Sequence, residues 1–254
     1  MAQSREEKLL FRTLNSRSQQ LLQILHNYEY GELQLTPELA AALGTAPLTL
    51  LAFACLGTKA HCEEIITQVD RTILFARYFK RAAQLLAALR EVDPETTLHV
   101  FLPDLEPRRT WGWQVPQDDI TLACLIMRDE AQLPAGFTLH LWSEVETEFA
   151  GAEDETWEAA ASEAAQYTRP QLLDEETRFF RELGARHPDI LITGRPREIA
   201  LKQLGAYAHE GCVLERLFPA GCLLQADVPR ERRDPMFQAL RHTPLPILHP
   251  LTPE

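Results

Sequence analysis

Apolar residues arrive along this chain in two rhythms. In the segment APLTLLAFACL (46–56) they run almost without a break, introduced by Pro47 and closed by Gly57. A continuous apolar run bounded by turn residues predicts a strand buried on both faces that ends at a turn into a helix. Shorter runs of the same kind follow at LHVFL (98–102), FTLHLW (137–142), DILIT (189–193) and GCLLQA (221–226). Between them the spacing turns helical, predicting helices over about 60–92, 117–131, 172–183 and 197–217, with an acidic, Ala-rich helical stretch after the third run. Ahead of the first strand, Leu21, Leu22, Ile24 and Leu25 recur near helical spacing, and a short segment surrounds Leu33 to Leu35.

Strand and helix in repeated alternation predict an α/β fold: a mainly parallel sheet with helices on both faces. No internal repeat and no Ser/Gly-rich linker divides the chain, so the expected organisation is one domain over 47–240. A helical segment, 1–46, packs on it, and the Pro-rich end HTPLPILHPLTPE within 241–254 reads as an extended tail. In open parallel sheets ligands sit outside the carboxyl ends of the strands. That rule selects Cys55, Gly57, Thr58 and Lys59 after the first strand, and Asp104, Glu106, Arg108 and Arg109 after the second. It adds Ser143, Glu144 and Glu146 after the third, then Gly194 and Arg195, and finally Gln225 and Asp227.

Composition narrows the class. The 254 residues are 45% hydrophobic, enough for a substantial core and against global disorder. With 25 Lys and Arg against 37 Asp and Glu the formal charge is −12, which excludes a globally basic nucleic-acid binder but not a local basic surface. Five scattered cysteines do not make a secreted disulfide framework, and the charged N-terminus lacks the apolar stretch of a signal peptide. No apolar run approaches the roughly 18–20 residues a bilayer span needs, so a cytoplasmic protein with no membrane partner is expected.

Common motifs are missing. There is no G-x-G-x-x-G after the first strand, no complete P-loop, no G-x-S-x-G, no H-E-x-x-H and no C-x-x-C pair. His61-Cys62 and His209 with Cys212 are isolated neighbours, and no metal site is expected.

Three constellations remain. The loop FLPDLEPRRTWGW (101–113) packs two carboxylates, two guanidinium groups and two indoles after a strand end, a mixture suited to a charged or stacking ligand, with Trp111 as a stacking candidate. It equally suits a self-paired ion bridge anchored by its tryptophans. On the second helical region Arg77, Lys80, Arg81 and Gln84 follow i, i+3, i+4 and i+7, opposite Phe75, Phe79, Ala82, Leu86 and Leu89. That places a basic ridge over a core face; it can engage phosphates or simply be solvated. Third, Tyr207 and Glu210 lie three apart on a helix, where a phenol and a carboxylate can hold an ammonium group and relay a proton, although Glu210 also suits an ordinary surface position.

Taken in order, ACLGTK after a buried strand, VFLPD, LWSE and a late helix with YAHEG resemble the tRNA-dependent cyclodipeptide synthases, in particular their divergent fungal arginine-containing branch. The resemblance covers about residues 48–227 and rests on the order of short matches. It implies a Rossmann-like three-layer fold similar to the catalytic domains of class I tyrosyl- and tryptophanyl-tRNA synthetases, and an aminoacyltransferase that takes aminoacyl-tRNAs already activated, with no ATP and no cofactor. In the family a serine takes the first aminoacyl group; this chain has no Gly-x-Ser there, and Thr58 or Cys55 stands in its place. The resemblance assigns amino-group positioning and proton transfer to Tyr207 and Glu210, one residue closer together than in the family pattern. For an arginyl substrate, Asp104, Glu106 and Glu144 are the expected guanidinium partners, with Trp111 beside them. Arg77, Lys80, Arg81, Arg108 and Arg109 are the expected tRNA contacts. Two other classes fit the same residues: a Rossmann-like small-molecule transferase that never meets RNA, and a non-enzymatic interaction protein with a tryptophan hot spot.

Overall fold

A computed structural model describes residues 5–28, 35–45, 47–54, 59–105, 116–150, 170–186, 195–224 and 247–248. Helices α1 (Arg5–Thr13), α2 (Ser16–Tyr28) and α3 (Pro37–Gly44) precede strand β1 (Thr49–Phe53). Then come α4 (Lys59–Thr67), α5 (Arg71–Arg90), β2 (Thr97–Leu102), α6 (Gln117–Glu130), β3 (Phe137–Leu141) and α7 (Trp142–Ala150). The chain continues through α8 (Pro170–Arg186), α9 (Pro196–Leu217), β4 (Gly221–Leu224) and the two-residue β5 (Ile247–Leu248). The strands form one sheet in the order β3-β2-β1-β4-β5, and every pairing is parallel. This all-parallel order is that of a Rossmann-like α/β fold, whose chain switches direction across the sheet between β1 and β4.

The near-continuous apolar character of β1 follows from its place. It pairs with β2 through Leu50↔Leu98 and Ala52↔Val100 on one side, and with β4 through Leu50↔Cys222 and Leu51↔Leu223 on the other. Alternate residues then point to opposite faces. Leu50, Ala52, Leu98, Val100, Leu139 and Leu224 enter the larger core with α2 to α6, through Leu21, Leu25, Ile65, Phe79, Leu86 and Met127. Leu51, Phe101 and Leu223 face the other way, onto Trp142, Val145 and Phe149 of α7 and Val213 and Leu214 of α9. Each fully buried aliphatic or aromatic side chain contributes about 1.5–3 kcal/mol. A third cluster, Leu172, Leu173 and Phe180 with Ile199, Ala200 and Leu204, binds α8 to the first half of α9.

Local signals set the boundaries. The helical region read over about 60–92 is two helices, because the Asp70 carboxylate accepts from Thr72 N at 3.0 Å and caps α5. On α5 Phe79, Leu86 and Leu89 are buried and Lys80 and Gln84 are exposed, while Arg81 is half-buried. Thr36 caps α3 in the same way, accepting from Leu39 N at 3.2 Å ahead of Pro37. Gly136 turns into β3 with φ of 81°, where a side chain is strained and a Cβ would sit 2.8 Å from Thr96 O. Gly221 permits the close β1–β4 approach: a Cβ there would lie 2.6 Å from Leu51 Cδ1.

Ile247 and Leu248 fall inside the Pro-rich segment read as a tail, yet they extend the sheet beside Leu223 and Leu224. Pro246 and Pro250 flank them, and residues without an N–H are tolerated on an edge strand while keeping it short. The strand read at 189–193 lies outside the described residues.

The N-terminal helices are fastened to the sheet layer by a polar clamp. Asp93 accepts from Leu48 N at 3.0 Å and from Arg17 Nη2 at 2.5 Å, and Arg17 Nη1 donates to Leu43 O at 2.9 Å. Burial pushes the Asp93 carboxyl upward, but the Leu48 and Arg17 hydrogen bonds and the Arg17 charge outweigh it and hold it below its ordinary value of 3.8. Its contribution is therefore present above that value and is lost as pH falls through the depressed one. Asp93→Ala leaves Leu48 N–H buried without an acceptor and should cost about 1–3 kcal/mol. A lower urea midpoint at pH 7 with unchanged slope checks this, and the gap from wild type should close in strong acid.

Candidate functional site at the carboxyl edge of the sheet

The carboxyl ends of β2 and β3 are tied together by one carboxylate. Asp104, two residues past β2, is 2% exposed, and its Oδ1 accepts from Ser143 N at 2.9 Å in the first turn of α7. Its own carbonyl accepts from Gln117 Nε2 at 2.5 Å, which fixes the start of α6. A helix amino terminus favours such an acceptor both by hydrogen bonding and by its positive end. The side chain expected to meet a substrate guanidinium is thus engaged in holding α7 against β2.

The start of α7 presents Trp142 and Glu146 on consecutive turns. Trp142 is 1% exposed; its Nε1 donates to Glu146 Oε1 at 3.0 Å, and its ring packs on Phe53 and Phe101 at centroid distances of 5.2 and 5.7 Å. Across from it, on α9, His209 places Nε2 at 3.6 Å from Glu146 Oε1, within ion-pair range but longer than a hydrogen bond. Both His209 nitrogens are buried without a hydrogen-bond partner. The next residue, Glu210, is 5% exposed, so the expected surface position does not describe it. Half-buried Glu146 and buried His209 thus make an acid–base pair between α7 and α9, with buried Glu210 next to His209 on its helix, near the edge where this fold class binds ligands. Buried polar atoms without partners concentrate at sites that receive a ligand or move a proton.

The sequence spacing contains the signal for this group. Ala206, His209, Glu210, Val213 and Leu214 occupy i, i+3, i+4, i+7 and i+8 of one stripe, and all five are buried. Two ionisable residues in the core-facing stripe of a helix mark the place, whereas the spacing of Tyr207 and Glu210 alone does not select His209 or Glu146.

A second polar pair lies on the same sheet face. His99 Nδ1 and His140 Nε2 are 2.9 Å apart, their rings stack at 5.2 Å, and Phe218 closes on His99 at 5.0 Å. Burial, and then the charge of His140, depress His99 from 6.5 to about 4; burial also lowers His140, with Glu144 and Glu148 opposing. Among the thiols, burial raises Cys222 to about 12 and Cys62 to about 11, so both are packing residues and poor nucleophiles at neutral pH.

The remaining expected residues divide. Glu144 does hold a guanidinium, that of Arg128 at 2.5 Å, and Arg128 also binds Asp129 at 2.6 Å. On α5, Lys80 is exposed and Arg81 half-buried. That helix is anchored through Phe75 and Phe79 on Phe137, at the amino end of β3, away from Asp104 and Trp142. Cys55, Thr58, Glu106, Arg108, Arg109 and Trp111 lie outside the described residues, as do the side chains of Arg77 and Tyr207; the backbone of Tyr207 is on α9, one turn before Glu210. Among the described residues no group of three or more His, Cys, Asp or Glu is placed to hold a metal, and no helix is long and apolar enough to cross a membrane.

This geometry defines an α/β protein with a Rossmann-like parallel sheet and a buried acid–base group at its carboxyl edge. No protein-family model, curated protein or solved structure matches the chain.

Two outcomes follow. Asp104→Ala should destabilise by about 1–3 kcal/mol by orphaning Ser143 N–H, while Asp104→Asn keeps an acceptor and most of the stability; paired urea titrations separate them. His99 binds its proton in the unfolded chain near 6.5 and in the folded chain near 4, so stability should fall as pH drops between those values. Unfolding midpoints at pH 7, 6 and 5 check this, and His99→Gln should flatten the profile.

Proposed function

We propose that the protein is a tRNA-dependent aminoacyltransferase of the cyclodipeptide synthase kind, working at the carboxyl edge of a sheet like that of the class I tyrosyl- and tryptophanyl-tRNA synthetases. The observation that carries the reading is the burial of Glu210 beside His209, whose ring nitrogens are buried without a hydrogen bond and whose Nε2 lies 3.6 Å from Glu146. An aminoacyl ester is activated already, so acyl transfer requires positioning, a nucleophile and a group that takes and returns a proton. A buried carboxylate–imidazole group on a rigid helix supplies the last of these.

In the proposed reaction the Thr58 hydroxyl or Cys55 thiol attacks the ester carbonyl of the first aminoacyl-tRNA. The bond to the ribose oxygen breaks, and the tRNA leaves carrying the proton. The amine of the aminoacyl-enzyme then attacks the ester of a second aminoacyl-tRNA, releasing that tRNA. The new terminal amine finally attacks the enzyme ester, closing the ring and returning the proton to the nucleophile. Glu210, with Tyr207 one turn earlier on α9, holds the ammonium and removes its proton before each amine attack, and His209 with Glu146 passes that proton on. Arginyl-tRNA is proposed as one of the two substrates. Glu144, whose 59% exposed side chain already carries a guanidinium, and Glu106 are its candidate partners; Trp111 lies in the same proposed pocket. The proposed tRNA contacts are Arg77, Lys80, Arg81, Arg108 and Arg109.

Expression of the chain in a bacterial host followed by mass spectrometry of the medium should yield a cyclic dipeptide containing arginine. Absence of any cyclic dipeptide, with no consumption of aminoacyl-tRNA by the purified protein, overturns the reading. Glu210→Gln and Tyr207→Phe should each lower product at least about tenfold, or about 1.4 kcal/mol in barrier, with unchanged far-ultraviolet circular dichroism. Near-wild-type turnover in both removes their assigned roles.

A further inference from the structure

Four arginines line one groove between α8 and α9. It has a volume of about 400 Å³, and its walls are Arg178 and Arg181 of α8, Arg195 and Arg197 at the start of α9, with Asp174, Thr177 and Pro196. Arg178 and Arg181 are three apart and so project from one side of α8. The charged residues of the lining sum to a local excess of three positive charges, in a chain whose total is −12.

Two of these arginines pair with acids. Asp174 lies 3.2 Å from Arg197, and Glu198 lies 3.4 Å from Arg195, with all four side chains more than half exposed. Exposed pairs of this kind are worth about 0–1 kcal/mol, so a multivalent anion can displace them. Arg178 and Arg181 belong to neither pair. The Thr177 hydroxyl is held inside its helix by Leu173 O at 2.6 Å, leaving the guanidinium groups as the donors that face the groove. Planar forked donors of fixed charge match phosphate oxygens two at a time.

The position of the groove suggests its ligand. The 22 residues of α9 make a rod about 33 Å long. Its last turns pack beside β4 and its first turns carry the groove, so Arg197 lies about 18 Å along the axis from His209. A phosphate held there is too remote to be a reacting group at His209 and sits well for a long substrate whose other end reaches the carboxyl edge.

We propose that this groove binds the phosphodiester backbone of an RNA strand, as a docking site separate from the α5 ridge. The choice of RNA rests on the proposed aminoacyl-tRNA chemistry; the phosphate preference rests on the arginines alone. The test uses the full chain and a fluorescein-labelled, unacylated single-stranded RNA oligonucleotide, titrated by anisotropy at 50 and 200 mM salt, with inorganic pyrophosphate as a second probe. Arg178→Gln with Arg181→Gln, and separately Arg195→Gln with Arg197→Gln, should each weaken RNA binding at least tenfold and lower the salt slope by about 1.4. Lys8→Gln with Arg12→Gln removes the same charge on α1 and should change affinity less than threefold. Circular dichroism confirms that all three variants fold.

Equal weakening by the control pair overturns the groove as a site, as does RNA binding that ignores both groove pairs. Pyrophosphate binding without RNA binding overturns RNA as the ligand. Groove-dependent RNA binding by a protein that makes no cyclic dipeptide sustains the groove while the synthase reading fails. Cyclic dipeptide production with RNA affinity unmoved by the groove pairs does the reverse.

Discussion

The hydrogen bond from Ser143 N–H to the buried Asp104 carboxylate joins three elements that would otherwise end independently. It stops β2, starts α7, and through the Asp104 carbonyl positions Gln117 at the head of α6. Because β3 passes into α7 without an intervening loop, the direction of that first helical turn decides where Trp142 and Glu146 point. Trp142 fills the corner between Phe53 and Phe101 and donates to Glu146, which thereby comes to face His209. A neutral cap in place of Asp104 would leave the chain able to turn, but with less to hold the aim of α7.

Much of the scaffold is legible in the sequence, for a physical reason. A strand buried on both faces must be apolar throughout, and LTLLAF can be little else; the shorter β2, β3 and β4 runs carry the same mark. Helix limits are legible where caps are local, and the Asp70–Thr72 contact divides α4 from α5 within three residues. Strand order is not local. That Gly221 pairs with Thr49 depends on Leu51 having room above a residue without a Cβ, a condition seen only when the two strands meet. The short strand at Ile247 is hidden for a related reason: a two-residue strand set in a Pro-rich stretch carries no periodicity.

The candidate site is legible only in part. Topology selects residues at strand ends, Asp104 and Glu146 among them, but their engagements with Ser143 N–H and the Trp142 indole depend on geometry across elements. His209 falls on an apolar stripe beside Glu210, and the contradiction between residue type and position is the readable clue. The arginine groove has no such clue. Its four members come from α8, from α9 and from the residue that precedes α9, and their signs disappear into a chain whose total charge is negative. Electrostatic character at a surface is a property of juxtaposition, and a sum over the sequence discards it.

Placing β1 between β2 and β4 has a consequence in time. β2 follows β1 closely in the chain, but β4 is made roughly 170 residues after β1, a separation that lengthens the loop to be closed and slows folding. At a synthesis rate of about 5–20 residues per second, β1 waits roughly ten to thirty seconds for its second neighbour. Through that interval a strand of apolar side chains offers an open row of hydrogen-bonding groups, which is the form most prone to pairing with another chain. The central position that makes β1 the best-protected strand of the finished protein makes it the most vulnerable strand of the nascent one.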